Sequence, residues 1–276
     1  MLNRTILILT LLLITGSAAL AEEADSVDFY LKQGAHAVSD FKWQQAIDAY
    51  ENVIRLDPKN FGALKGLGMG HMTLANKKQA NTYFKRAHRI YGRDLDINSY
   101  LGVMYSEMNN VVQAIDCFET ALSLDSNKVA SLNNLAGEYM RVKKVADALD
   151  LLYRAKEIEP DNQITSFHLG NCYAASGMYD SAEVYFELAE DQGYTGDELF
   201  YYLGVIKRDL GQTDMAIELF KKAIRLNSKH IDCRQSLGLI YAARDEYAPA
   251  IAQFEQIVAQ DPVNQRGLVS LGVSYY

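Results

Sequence analysis

Apolar side chains recur along the chain with the spacing of amphipathic helices, and this pattern repeats every 34 residues. In each block counted from Val27, one apolar stripe runs from about position one to fourteen and a second from about eighteen to thirty. Turn-forming residues separate the stripes, as at Ser176-Gly177, and end the blocks, as at Asp57-Pro58. Each block therefore predicts two antiparallel helices.

The register predicts seven complete blocks and an incomplete one, with no insertion or deletion. The blocks are residues 27–60, 61–94, 95–128, 129–162, 163–196, 197–230, 231–264 and, incompletely, 265–276. Position eight is glycine in all blocks except one, which has Ala136, and position twenty is alanine in every complete block. A glycine inside a helix costs about 1 kcal/mol relative to alanine, so its repetition implies a packing reason. We expect these small residues to let the two helices approach closely, and the aromatic ring at position twenty-four to fill the wedge beside the next helix.

This pattern resembles the tetratricopeptide repeat family, which has Leu-Gly at positions seven and eight, Tyr at eleven, Ala at twenty, Phe at twenty-four and Pro at thirty-two. The resemblance extends from Val27 to Tyr276, with departures at position eleven in Ala37, His71 and Lys207. It implies an all-α fold, a right-handed α-solenoid of about 7.5 helix-turn-helix repeats. In the family the first helices line a concave groove that binds proteins or peptides, and the fold has no reaction of its own.

The N-terminus has the pattern of a secretory signal. Arg4 precedes an apolar run from Ile6 to Ile14, and Ala19-Leu20-Ala21 has the A-x-A form of a cleavage site. The apolar run is shorter than the roughly 20 residues that a spanning helix needs. We expect a cleaved signal over 1–21, a short lead over 22–26 and an exported protein, periplasmic or extracellular. An uncleaved membrane anchor is the alternative.

Charge and motifs exclude several classes of function. The chain carries 35 acidic and 27 basic side chains, a net charge of −8, which disfavours nucleic acid as a partner. Cys117, Cys172 and Cys233 lie two repeats apart and are predicted to be unpaired and buried. The glycine-rich segment 66–70 falls within a predicted helix and lacks a following G-K-[ST], so it is not a phosphate loop. The pattern predicts no catalytic site, no cofactor and no metal.

Groove positions in the family are two, five, nine, twelve and thirteen of each first helix, with six alongside. These positions carry six acidic and five basic residues here, so the groove is nearly neutral. In the middle repeats they also carry amides and aromatic rings, which suit an extended peptide or protein segment. The candidate residues are Tyr100, Asn133, Asn134, Phe167, His168, Asn171, Tyr201 and Tyr202. The alternative is that these rings pack against neighbouring helices.

The last block has a first-helix pattern without a second helix to cover it. Leu268, Leu271 and Tyr275 are therefore predicted to form an edge for self-association or for a partner. The alternative is that the natural chain continues beyond Tyr276.

Together these features favour a non-catalytic scaffold that binds a protein or peptide and helps to assemble an envelope or secretion complex. A glycan-binding adaptor in polysaccharide secretion or cell-wall machinery is the alternative, because grooves lined by rings and amides also suit sugars.

Mass spectrometry of the intact exported protein tests the signal. We expect a mass that lacks Met1 to Ala21, and a mass that still includes them would contradict cleavage.

Overall fold

A computed structural model describes residues 26–276, and over this range the chain contains fifteen helices and no strand. The all-α class predicted from the apolar spacing is confirmed. The predicted signal over 1–21 and residues 22–25 of the lead lie outside the described residues. The chain divides into two compact units between Ser131 and Leu132.

Both units are stacks of helices joined by short turns. The first unit contains α1 (26–39), α2 (Trp43–Leu56), α3 (Phe61–Thr73), α4 (Lys77–Ile90), α5 (Leu95–Glu107), α6 (Val111–Leu124) and the first residues of α7 (Val129–Arg141). The second contains the rest of α7, α8 (Val145–Ile158), α9 (Gln163–Ala175), α10 (Tyr179–Asp191), α11 (Asp197–Asp209), α12 (Thr213–Leu226), α13 (Ile231–Ala243), α14 (Tyr247–Gln260) and α15 (Gln265–Tyr275). From α3 onward every odd-numbered helix begins on the first residue of a predicted block.

The helices of a repeat meet where the aromatic ring of position twenty-four lies over the glycine of position eight. A Cβ atom on Gly170 would lie 2.6 Å from Cδ1 of Phe186, and one on Gly204 would lie 2.8 Å from Cε1 of Phe220. All seven alanines at position twenty are completely buried beside this contact. The glycine thus makes room for the ring of its own repeat, which is a more specific role than the general helix approach that we expected.

One repeat solves the same packing problem with different residues. In the fourth repeat, position eight is Ala136 and not glycine. Position twenty-four of the same repeat is the aliphatic Leu152 and not an aromatic residue. Both side chains are completely buried in one cluster. Where position eight carries a methyl group, position twenty-four therefore carries an aliphatic side chain in place of an aromatic ring.

The turn between the two helices has the same backbone conformation in all seven complete repeats. Position fifteen has a positive φ each time, and only Gly177 and Gly211 are glycines there. Ala75 and Lys143, for example, have φ of 59° and 61°. The next residue donates its N–H to the carbonyl oxygen of position eleven at 2.8 to 3.0 Å, which closes the end of the first helix.

Most first helices begin with a side chain that caps them. The Asn60 Oδ1 atom accepts a hydrogen bond from the N–H of Ala63 at 3.0 Å, and Asp94 does the same for Ile97 at 3.0 Å. Such a cap satisfies one of the donors that the first helical turn leaves unpaired. The last residue of one block therefore defines the start of the next.

Two glycine-to-alanine changes in the second unit test the ring-over-glycine contact. Gly170→Ala should destabilise the protein by about 1–3 kcal/mol, because the new methyl group overlaps Phe186. Gly137→Ala is the control. It should stabilise by up to about 1 kcal/mol, because the nearest atom, Cε1 of His168, is 3.8 Å away.

Thermal unfolding followed by circular dichroism measures both changes. Adding Phe186→Leu to Gly170→Ala should recover part of the loss, since Ala136 and Leu152 already form that pair in the fourth repeat. A Gly170→Ala protein as stable as the wild type would show that the contact does not constrain this position.

A second prediction concerns the turn. Ala75→Gly should stabilise the protein by about 0.5–1 kcal/mol, because glycine adopts a positive φ without the steric cost that Ala75 bears. The matched change Ala35→Gly, at an exposed position within α1, should destabilise by about the same amount. Denaturant titration distinguishes the two, and a loss of stability in both variants would refute the argument.

Candidate functional site

Asn133 lies in the interior and not on an open surface. It is 3% exposed, and its Oδ1 atom accepts a hydrogen bond from the Thr165 hydroxyl at 3.0 Å. Its Nδ2 atom donates to Oδ1 of Asn162 at 3.4 Å. The side chain thus connects α7 to the beginning of α9, and our expectation that it faces a ligand is corrected.

Phe167 is likewise part of the core. It is 6% exposed and stacks on Tyr194, with ring centroids 4.4 Å apart and planes 10° apart. Tyr202 stacks on Phe186 at 6.1 Å, and burial raises the pKa of its hydroxyl. For Phe167 and Tyr202 the structure favours the alternative, in which large rings pack against neighbouring helices.

Tyr100, in the first unit, follows the same rule. Its ring lies 4.5 Å from that of Phe84, the position-twenty-four residue of the preceding repeat. Tyr100 is half-buried, and burial is the main cause of its raised pKa. A tyrosine at position six therefore packs against the ring of the repeat before it.

Position five has a structural role that the sequence interpretation missed. The Lys65 ammonium contacts Asp94 at 2.9 Å and Asp96 at 2.8 Å, both at the start of the next first helix. Gln235 similarly donates from Nε2 to the Ser270 hydroxyl of the next repeat at 2.9 Å. With Asn133, these contacts show position five joining one repeat to the next. The sequence contained a signal for this contact, because Lys65 and the two aspartates about one block later carry opposite charges.

His168 lies beside the glycine at position nine of the preceding repeat. Burial lowers the pKa of its imidazole to about 4, so the ring is neutral at pH 7. Gly137 has no side chain, and its missing Cβ would lie 3.8 Å from Cε1 of His168. A methyl group at position 137 would therefore make an ordinary van der Waals contact with His168.

Six of the eight candidate residues are half-buried, all except Asn133 and Phe167, and we call Asn134, Asn171 and Tyr201 the amide face. They lie on α7, α9 and α11 of the second unit and are half-buried. The Oδ1 atom of Asn171 is fully buried and has no hydrogen-bond partner. Tyr201 contacts His230 at 5.0 Å between ring centroids, and its pKa is raised by burial and by the nearby Asp232. The amide face thus combines two half-buried amide side chains with a half-buried aromatic ring.

The cysteines are buried and unpaired, as predicted. Burial raises the pKa of Cys117 to about 11 and that of Cys172 and Cys233 to about 12, so all three are neutral thiols near pH 7. Within residues 26–276 no three potential ligands from His, Cys, Asp and Glu lie together as a metal site would need. No helix in that range is long and apolar enough to cross a membrane.

The glycine-rich segment 66–70 lies inside α3. A Cβ atom on Gly66 would overlap the Tyr50 ring, and one on Gly70 would lie 2.8 Å from Cγ1 of Ile47. The segment is therefore helix packed against α2, which agrees with our rejection of a phosphate loop.

Departures from tyrosine at position eleven preserve its contacts by other means. His71 stacks on Tyr83 at 5.4 Å with parallel planes, as Tyr173 stacks on Tyr185 at 5.3 Å. Lys207 instead forms an ion pair with Glu183 of the preceding second helix.

The predicted C-terminal edge is open in part. Leu268 is 45% exposed and Tyr275 is 63% exposed, while Leu271 packs beside Phe254. The Tyr275 hydroxyl donates to Oε1 of Glu255 at 2.9 Å.

Comparisons with known proteins agree with the geometry. The family model of the tetratricopeptide repeat matches residues 100–128 and 197–230. The RNA polymerase-associated protein CTR9 of Caenorhabditis elegans is 24% identical over 245 residues, which is 85% of this chain and 21% of that protein. The human protein O-mannosyl-transferase TMTC3 is 24% identical over 219 residues, 73% of this chain and 23% of that protein. The chain thus spans less than a quarter of either relative.

One solved structure matches a larger share of this chain than either of these relatives does. The crystal structure of a tetratricopeptide repeat protein from Parabacteroides merdae matches with a TM-score of 0.70 at 14% identity, over 91% of this chain and all of that one. The repeat register, the helix bounds and these matches lead to one conclusion: the chain is a tetratricopeptide repeat protein, an all-α solenoid of helix-turn-helix repeats.

Proposed function

We propose that this protein is a non-catalytic scaffold that binds an extended peptide or protein segment on the amide face. Tetratricopeptide repeats generally mediate interactions between proteins. The observation that carries the proposal is the placement of Asn134, Asn171 and Tyr201, three half-buried side chains at groove positions of successive first helices in the second unit.

An extended peptide fits this surface. Its backbone presents N–H groups and carbonyl oxygens, and an accessible asparagine side chain such as Asn134 can pair with both whatever the peptide's sequence. Tyr201 then offers a rigid ring for one apolar side chain of the ligand.

The cellular setting is a further part of the proposal. The pattern of Ile6 to Ile14 followed by Ala19-Leu20-Ala21 supports export, and a scaffold in that location would serve an envelope or secretion complex. The transferase activity in the name of one relative belongs to that longer protein.

A glycan is the second candidate ligand, and one observation favours it. Asp232 lies close enough to Tyr201 to raise the pKa of its hydroxyl. A carboxylate beside an aromatic ring suits a sugar, whose hydroxyl groups donate hydrogen bonds while its C–H face packs on the ring.

A peptide display library and a glycan array, applied in parallel to the purified protein, test the proposal. We expect peptide ligands from the wild type. Asn171→Ala with Tyr201→Ala should then weaken the selected peptides about tenfold, since two lost contacts amount to about 1.4 kcal/mol. Asn133 is left intact because its hydrogen bonds are internal.

The control removes the same side-chain types elsewhere. Asn127→Ala with Tyr247→Ala, at exposed positions outside the amide face, should leave the affinity unchanged. Equal affinity of the peptides for both double variants would refute the site, and ligands found only on the glycan array would favour the second candidate.

A further inference from the structure

A small pocket lies between α12, α13 and α14 of the second unit, with a volume of about 240 Å³. Three cations line it: Lys221 and Arg225 from α12, and Arg234 from α13. Ile224, Leu237 and Tyr241 form its apolar floor. No carboxylate among the described residues lines this pocket, although the chain as a whole has a net charge of −8.

The half-buried Arg234 has only neutral hydrogen-bond partners. Its Nη2 and Nε atoms donate to the carbonyl oxygen of Ser228 at 2.8 and 3.2 Å, and Nη1 donates to Oε1 of Gln253 at 3.0 Å. These bonds use three of the five N–H groups of a guanidinium. Partial burial of a charge is costly unless an opposite charge accompanies it, and burial lowers the pKa of Arg234 accordingly. The group therefore lacks the carboxylate that would best compensate it.

The other two cations leave the pocket positive. Lys221 pairs with Glu218 at 3.0 Å, and the exposed Arg225 forms no ion pair with any residue of 26–276. With Glu218 counted against the three cations, the pocket keeps a net charge of two positive charges. An exposed pair such as Lys221 with Glu218 is worth at most about 1 kcal/mol, so Lys221 can exchange its partner at little cost.

We propose that this pocket binds an acidic segment of a partner protein. An aspartate or glutamate carboxylate of that segment pairs with Arg225 and with the free N–H groups of Arg234. A neighbouring apolar side chain of the segment packs on Ile224 and Leu237. The apolar floor favours a peptide over a bare phosphate, which has nothing to place there.

The pocket is separate from the amide face. On α13 it uses positions four, seven and eleven, whose side chains pack toward the second helices. The amide face uses positions five, six and nine of its first helices. The two sites can therefore hold different segments, and either can fail its test without the other.

Fluorescence anisotropy with labelled peptides tests the proposal on the full chain. One probe alternates glutamate and leucine, and its partner probe has glutamine in place of every glutamate. We expect the first to bind the wild type and the second to bind at least about tenfold more weakly. Lys221→Gln with Arg225→Gln should weaken the acidic probe at least about fivefold.

The control variant also removes two positive charges, at positions near the pocket but outside its lining. Lys222→Gln with Lys229→Gln should bind the acidic probe within about twofold of the wild type, because Lys222 contacts Glu190 and the Phe200 ring and neither lysine lines the pocket. Asn171→Ala with Tyr201→Ala should also bind it normally.

Four results would overturn the proposal. The first is that the pocket variant and the control variant weaken binding of the acidic probe equally. The second is that the glutamine probe binds the wild type as tightly as the acidic probe. The third is that the amide-face variant, Asn171→Ala with Tyr201→Ala, no longer binds the acidic probe. The fourth is binding of phosphatidylglycerol vesicles, sensitive to Lys221→Gln with Arg225→Gln, when the acidic probe does not bind.

Discussion

The contact on which the structure depends is the ring of position twenty-four lying over the bare α-carbon of position eight. It recurs in six of the seven complete repeats, where a Cβ atom added to the glycine would lie 2.5 to 2.8 Å from the nearest ring atom. Phe186 and Phe220 are completely buried there, next to the alanines of position twenty. Ala136 and Leu152 show that the constraint is one of combined volume, because the two positions change together.

Much of the fold could be predicted because each repeat presents the same packing problem. The apolar stripes located the helices, and the block boundaries coincide with the starts of the odd-numbered helices from α3 onward. The turns were predictable only in part. Ser176-Gly177 marked a turn in the sequence, whereas Ala75 and Lys143, which have the same positive φ as Gly177, did not. At those sites the hydrogen bonds that close the first helix outweigh the residue's own backbone preference.

The candidate site was less predictable for a different reason. Periodicity identifies the side of a helix on which a residue lies, but not how much of that side the beginning of the next repeat covers. Asn133 and Phe167 both occupy position five and are buried, while Tyr201 at the same position remains half-buried. Asn133 meets Thr165 of the next repeat, whereas Phe167 and Tyr201 meet Tyr194 and His230 near the end of their own blocks. A single chain's spacing does not contain that information.

The division of asparagines into internal and accessible ones is the central functional claim. Nuclear magnetic resonance of the side-chain amides, during titration with a peptide ligand, tests it directly. We expect the signals of Asn134 and Asn171 to shift in proportion to occupancy while that of Asn133, held between Thr165 and Asn162, stays in place. An unshifted Asn171 signal at saturation, or a shift of Asn133 alone, would contradict the account.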